Sequence, residues 1–172
     1  MRAAAGWLFA GALAIGASIT PVHLPRASCA APEHRQFDFW VGDWDALEAS
    51  GGDSVVARIR VDLILDGCVL REVYDGRNGL SGQSFSIYDA ARRRWHQSWV
   101  TNRGQLLLLE GGMDGERMVL AGPNRGPDGG IVEIRGVWRR ERGGVRETAE
   151  TSRDGGKTWK PLFDLVFRPH RP

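Results

Sequence analysis

Ala57-Arg58-Ile59-Arg60-Val61-Asp62-Leu63-Ile64-Leu65 places an apolar residue at every second position and charged residues between the first four. Side chains of a β-strand point alternately to opposite faces. The stretch therefore predicts a strand that buries Ala57, Ile59, Val61, Leu63 and Leu65 and turns Arg58, Arg60 and Asp62 to water. Gly51-Gly52-Asp53 precedes it and Asp66-Gly67 follows it, residues that suit tight reversals because glycine adopts positive φ at no steric cost. Extended segments of the same kind follow outward at residues 39–48, 69–74, 83–88, 95–100, 105–111, 117–121, 131–139, 145–152 and 159–168. Between them stand Asp75-Gly76, Asp114-Gly115, Gly126-Pro127-Asp128-Gly129-Gly130, Gly143-Gly144 and Asp154-Gly155-Gly156. This spacing predicts an all-β fold of ten strands in which sequence neighbours pair antiparallel.

No 11-residue window after position 50 keeps a helical apolar spacing free of Gly or Pro, and only residues 34–40 are expected to form a helical turn. Ten short-looped strands laid flat would leave two open edges, and closure removes both. A single up-and-down antiparallel β-barrel is therefore expected. A two-sheet sandwich is the alternative, but its crossovers are long, and the longest connection here, residues 123–130, is only eight residues.

The start of the chain has a different character. Met1-Arg2 is followed by an uncharged run rich in Ala, Leu and Gly over residues 3–19, then by the small residues Ala27-Ser28-Cys29-Ala30. That order reads as a signal peptide over residues 1–30, leaving 31–172 as one exported domain, secreted or periplasmic. A retained membrane anchor is the alternative, but the run is short for a spanning helix and carries Gly6, Gly11 and Gly16. A lipid on Cys29 is disfavoured by Arg26 three positions before it. Cleavage after Ala30 would remove Cys29 and leave Cys68 alone, excluding an intrachain disulfide and making Cys68 a small buried hydrophobe.

Of the 23 basic residues, Arg2 and Arg26 leave with the signal, so 21 basic side chains face 21 acidic ones. A neutral balance argues against nucleic acid or an anionic membrane as partner, since both select a basic excess. With 42% apolar residues and seven tryptophans the chain is not of a disordered composition.

Phe39-Trp40-Val41-Gly42-Asp43-Trp44-Asp45 opens the first expected strand with a Gly-x-Trp pair. Here the sequence resembles the calycin group of ligand-binding barrels, of lipocalin or nitrobindin type. The resemblance implies that Trp44 plugs the closed end and that Arg168, from the last strand, packs over its indole to fasten barrel closure. More closely, the chain looks like an exported bacterial family catalogued as domain of unknown function 1579. The residues carrying that likeness are Phe37-Asp38-Phe39-Trp40-Val41-Gly42-Asp43-Trp44, Ile64-Leu65-Asp66-Gly67-Cys68, Tyr88-Asp89, Trp95-His96-Gln97-Ser98-Trp99 and the stretch from Ser152 to Trp159. That family brings no activity with it. The haem-binding nitrobindin branch continues its opening motif with further glycines, whereas Asp45-Ala46-Leu47 follows Trp44 here.

Ser152-Arg153-Asp154-Gly155-Gly156-Lys157-Thr158-Trp159 resembles an Asp-box, the hairpin repeated in sialidases and other propellers. One copy in a short chain makes a structural hairpin and not a propeller. Trp95-His96-Gln97-Ser98-Trp99 is the strongest site candidate. Alternation puts Trp95, Gln97 and Trp99 on one face and His96 and Ser98 on the other. Turned inward, the first face would bracket an amide between two indoles, the make-up of a mostly apolar pocket with a polar selector. Leu70, Glu72 and Tyr74 also share a face, adding a carboxyl and a phenol. The alternative is that these rings fill the barrel, and a one-residue slip in register would exchange lumen for solvent.

No cofactor or metal is expected. After the signal only His34, His96, His170 and Cys68 stand beside the carboxylates, and no Cys-x-x-Cys-His, Gly-x-Ser-x-Gly or phosphate-loop pattern occurs. The expected function is binding of a small apolar or aromatic ligand in the lumen. One alternative is an enzyme with Glu72 or His96 as general acid or base, and another is a protein–protein scaffold with no internal pocket.

Overall fold

The computed structural model describes residues 29–171, so the expected signal lies outside the described residues except for Cys29 and Ala30. Two short 3-10 turns, Pro32–Arg35 and Asp38–Trp40, lead into ten strands. These are β1 (Gly42–Glu48), β2 (Val55–Ile64), β3 (Val69–Gly76), β4 (Ser81–Asp89), β5 (Arg94–Thr101), β6 (Leu106–Asp114), β7 (Arg117–Arg125), β8 (Ile131–Glu141), β9 (Gly144–Ser152) and β10 (Lys160–Pro169). Each strand pairs antiparallel with the next, and β10 returns to β1 to close an up-and-down barrel. The seam runs from Trp44 opposite Pro169 to Glu48 opposite Leu165. Closure leaves no strand edge to recruit a foreign chain.

One end of the barrel is filled from below. Residues 39–41, expected to begin the first strand, instead make the second 3-10 turn and its exit, because Phe37, Phe39 and Trp40 fold under the barrel mouth and are buried. Phe37 stacks on Trp40 and meets Trp95 and Trp138 edge-on, while Trp40 lies along Phe167. This aromatic plug ties the leader to β5, β8 and β10.

Three expectations are corrected at this end. Cys68 is not a lone thiol: it is disulfide-bonded to Cys29, 39 residues earlier. The bond joins the leader to the β2–β3 turn, where Arg35 also donates to the Gly67 carbonyl. Leu65 is not part of the buried alternation, because the strand stops at Ile64. Leu65, Asp66 and Gly67 take positive φ in the turn, leaving Leu65 exposed. Arg168 does not cover Trp44. It pairs opposite Asp45 on the outer face, donates to the Arg142 carbonyl at 2.8 Å and meets Glu141 at 3.3 Å. Trp44 points inward, and its indole N–H donates to the Trp40 carbonyl at 3.0 Å. Closure at the seam is helped instead by His170, whose backbone N–H reaches the Asp43 carbonyl and whose ring lies 3.0 Å from the Asp45 carboxylate.

The Asp-box stretch forms the β9–β10 hairpin. Asp154 accepts the Lys157 and Thr158 backbone N–H groups and the Thr158 hydroxyl, bonds that hold its carboxyl far below the usual range. Trp159 folds back to donate to the Gly156 carbonyl, under the Arg135 guanidinium at 4.0 Å. The motif serves the turn.

Candidate functional site

The register sets which side chains enter the barrel. Val61 pairs with Glu72, Glu72 with Ser84, Ser84 with Trp99 and Trp99 with Leu107, so one inward row runs from β2 to β6. On the far wall Trp138 pairs with Glu147 and Glu147 with Leu165. The face bearing Trp95, Gln97 and Trp99 is thus the inward one, together with Glu72 and Tyr74.

Glu72, Ser84, Ser86 and Gln97 are buried polar residues in a largely apolar interior. The Ser84 hydroxyl donates to Glu72 Oε2 at 2.7 Å. Gln97 Nε2 donates to Ser86 Oγ at 3.1 Å and, more weakly, to Ser84 Oγ at 3.4 Å. A chain of donors therefore ends on the carboxyl. Most buried polar groups are paired in this manner. Burial pushes the Glu72 carboxyl up to about 7, with the Ser84 bond offsetting part of the rise.

Tyr74 and Trp99 stand nearer the barrel end away from the plug. Their rings meet edge to face at 5.7 Å, and neither is fully buried. Each lies over a glycine: a Cβ on Gly82 would come within 2.7 Å of the Trp99 ring, and one on Gly76 within 2.9 Å of the Tyr74 ring. The glycines let the rings lie along the wall. Burial first, then the Glu72 and Glu147 charges, raises the Tyr74 phenol.

Trp95 separates from this group. Its indole N–H donates to Gln36 at 3.1 Å and its ring packs on Phe37 and Tyr88. It belongs to the floor made by the plug. His96 and Ser98 face outward, and His96 lies 3.4 Å from Glu110, whose carboxyl Arg92 and Arg94 hold well below the usual range.

Sequence reasoning missed Ser84, Ser86 and, above all, Glu147. Glu147 shares a face with Val145 and Ala149, both buried, so the alternation within the ninth segment carried the signal. Burial and the neighbouring Glu72 push its carboxyl well above the ordinary range. The nearby Trp138 indole N–H, which lacks a partner of full hydrogen-bond geometry, offsets part of this.

No protein-family model matches this chain, and no curated protein does. The closed ten-stranded antiparallel course is compatible with a calycin-like barrel. Among the described residues no group of three His, Cys, Asp or Glu side chains converges as a metal site would require, and no helix is long and apolar enough to cross a membrane. A concavity lies on the outer wall, lined by Arg117, Arg135, Arg139, Arg146 and Glu150 among others. Most of its arginines are engaged in ion pairs, Arg135 with Glu150 and Arg146 with Asp164 at 2.5 Å and Arg117 with Asp114. Partly exposed pairs of this kind dress a sheet surface.

Proposed function

We propose that the protein binds a small, largely apolar or aromatic molecule in the barrel lumen, entered from the end opposite the plug. The observation that carries this reading is the buried polar chain Gln97–Ser84–Glu72 beside the Tyr74–Trp99 pair. Few polar groups in an apolar concavity are what orients a ligand. The lining supports it too: inward positions hold Ala57, Gly82, Ser84, Ser86, Gly136 and Ala149, and a barrel of ten strands is wider than the eight-stranded kind that holds one small ligand. Membership of the exported domain of unknown function 1579 family, among calycin-like barrels, belongs to the same proposal and rests on the motifs quoted above. Export to an oxidising compartment is supported by the Cys29–Cys68 bond, since disulfides persist there.

Titration with a panel of small apolar and aromatic compounds, read by tryptophan fluorescence, tests the reading. Saturable one-to-one quenching that weakens in Trp99→Phe is expected. If no compound quenches saturably, the lumen is packed and the protein is a scaffold. A second reading has its own support in the Glu72 carboxyl near 7, a value suited to proton transfer at neutral pH. As an enzyme the protein would use Glu72 as general acid or base. Turnover of a bound compound, lost in Glu72→Gln, is the result that would favour it.

A further inference from the structure

We propose that the molecule taken into the lumen is a small organic cation, an ammonium group on an aromatic or aliphatic body, held by Glu72 and Glu147 with its apolar part against Tyr74 and Trp99. This rests on the ligand-binding reading above and names the ligand class.

The charge inventory of the inner wall points this way. By register, the inward positions carry three carboxyls: Glu48 on β1, Glu72 on β3 and Glu147 on β9. Tyr74 is the other titratable group near them. Two inward positions are basic, and both sit at the ends. Arg140 of β8 is exposed at the plugged end over the Phe39 ring, and Lys160 of β10 is exposed at the opposite rim. The inward positions of β2, β4, β5, β6 and β7 carry no ionisable acid or base other than the Tyr88 phenol on β4, which packs against Trp95 and His34. Two carboxyls thus stand deep in the barrel, from opposite walls, with no basic side chain at their level among the described residues.

Such a pair is costly when ionised, because each charge is desolvated and each repels the other. The same effect raises both carboxyls and favours their neutral forms, Glu72 through burial and Glu147 through burial plus Glu72. A cation between them removes the repulsion and replaces lost solvation, while the edge-to-face rings at the entrance offer faces that attract positive charge.

A second feature of the same wall completes the site. The Trp138 indole N–H is buried and inward on the residue paired with Glu147, close enough to lower that carboxyl yet short of full hydrogen-bond geometry. A buried donor held in poor hydrogen-bond geometry is a cost. Ionised by a bound cation, the Glu147 carboxylate becomes a stronger acceptor for this poorly placed donor, as Glu72 already accepts from Ser84.

Calorimetry of the exported chain with three isosteric probes, phenethylamine, 2-phenylethanol and phenylacetate, decides the matter. Phenethylamine is expected to bind at least about tenfold more tightly than the alcohol, with phenylacetate weakest. Its affinity is expected to rise between about pH 5.5 and pH 8 with release of protons, while that of the alcohol stays level. The double variant E72Q/E147Q, checked for an unchanged melting transition or a higher one, is expected to bind amine and alcohol alike. Equal or tighter binding of the alcohol by the wild type overturns the cation assignment, as does a preference for the amine that survives the double variant. If the three probes fail while the apolar panel above binds, the cation assignment alone falls; if both sets fail, the lumen reading falls with it.

Discussion

Glu72 keeps its proton to a higher pH than an exposed glutamate because its carboxyl sits among β2, β3 and β4 side chains with one hydroxyl for company. The consequence for stability has a definite sign. The folded value is raised from 4.5 to about 7, so between those limits the native protein holds a proton that the unfolded chain has released. The stabilisation is fully present below the lower limit and is lost as pH rises through the upper one, to the extent of about 3 kcal/mol. Glu147 shifts in the same direction. Glu72→Gln keeps an acceptor for the Ser84 hydroxyl and removes the titration. Its stability relative to wild type is expected to grow by about 3 kcal/mol from pH 5 to pH 8, followed by urea unfolding at each pH. Parallel profiles for the two proteins would show that the carboxyl is hydrated and the lumen polar throughout. The same environment explains why Glu72 was legible as a site residue. It shares a face with Leu70, an apolar partner that alternation assigns to the interior.

At the scale of elements, the period-two rule locates most strands but misleads on β4. Ser84 and Ser86 alternate with Phe85 and Ile87, so apolar-inward patterning would bury the second pair. The barrel does the reverse, with both serines buried and Phe85 and Ile87 partly exposed. The serines point inward because Glu72 and Gln97 on the flanking strands need their hydroxyls. This requirement lies across strands and is invisible within the segment. On β6 the run Leu106 to Leu109 has no alternation to read at all. The Gly-x-Trp pair, by contrast, was read as a closure motif and has a steric cause. A Cβ on Gly42 would meet the Trp44 ring at 2.4 Å, and Gly136 stands to Trp138 in the same way at 2.6 Å. The ring leans back along its own strand over the missing side chain. Gly136→Ala must therefore push Trp138 off Phe37 and Trp40, at a cost of about 1–3 kcal/mol, the range for overpacking a core. Gly112→Ala is the matched control, since nothing lies within 4 Å of its would-be Cβ, and it is expected to be neutral or slightly stabilising. Denaturant midpoints of the two variants check the contrast, and an equal effect would mean that the glycines act through strand propensity alone.

For the whole molecule, the barrel wall was readable because closure follows from strand number and loop length, whereas the floor was not, because it depends on where the leader goes. Cutting after Ala30 in the sequence reading discarded the one cysteine able to bond Cys68, and with it the anchor of the plug. The leader has little regular structure of its own: two 3-10 turns of four and three residues, with no side-chain cap on either. Its place is fixed by the buried rings of Phe37, Phe39 and Trp40, by Arg35 on the β2–β3 turn and by the disulfide. A bond closing a loop of 39 residues restricts the unfolded chain by about 4 kcal/mol on the loop-entropy account, and engineered and native cases commonly realise about 2–4. The double variant C29S/C68S is expected to fold to the same barrel but to melt lower by roughly 10 °C. Reductant should bring the wild type down to the melting temperature of the variant and leave the variant itself unmoved, which separates loss of the bond from damage done by the serines. The plug aromatics should open before the wall does. Trp40, Trp95 and Trp138 emission is then expected to shift red in the variant at temperatures where the far-ultraviolet signal of the strands is still intact. Coincident loss of both signals, with an unchanged midpoint, would mean that the aromatic stack alone holds the leader and that the disulfide adds nothing to the floor of the barrel.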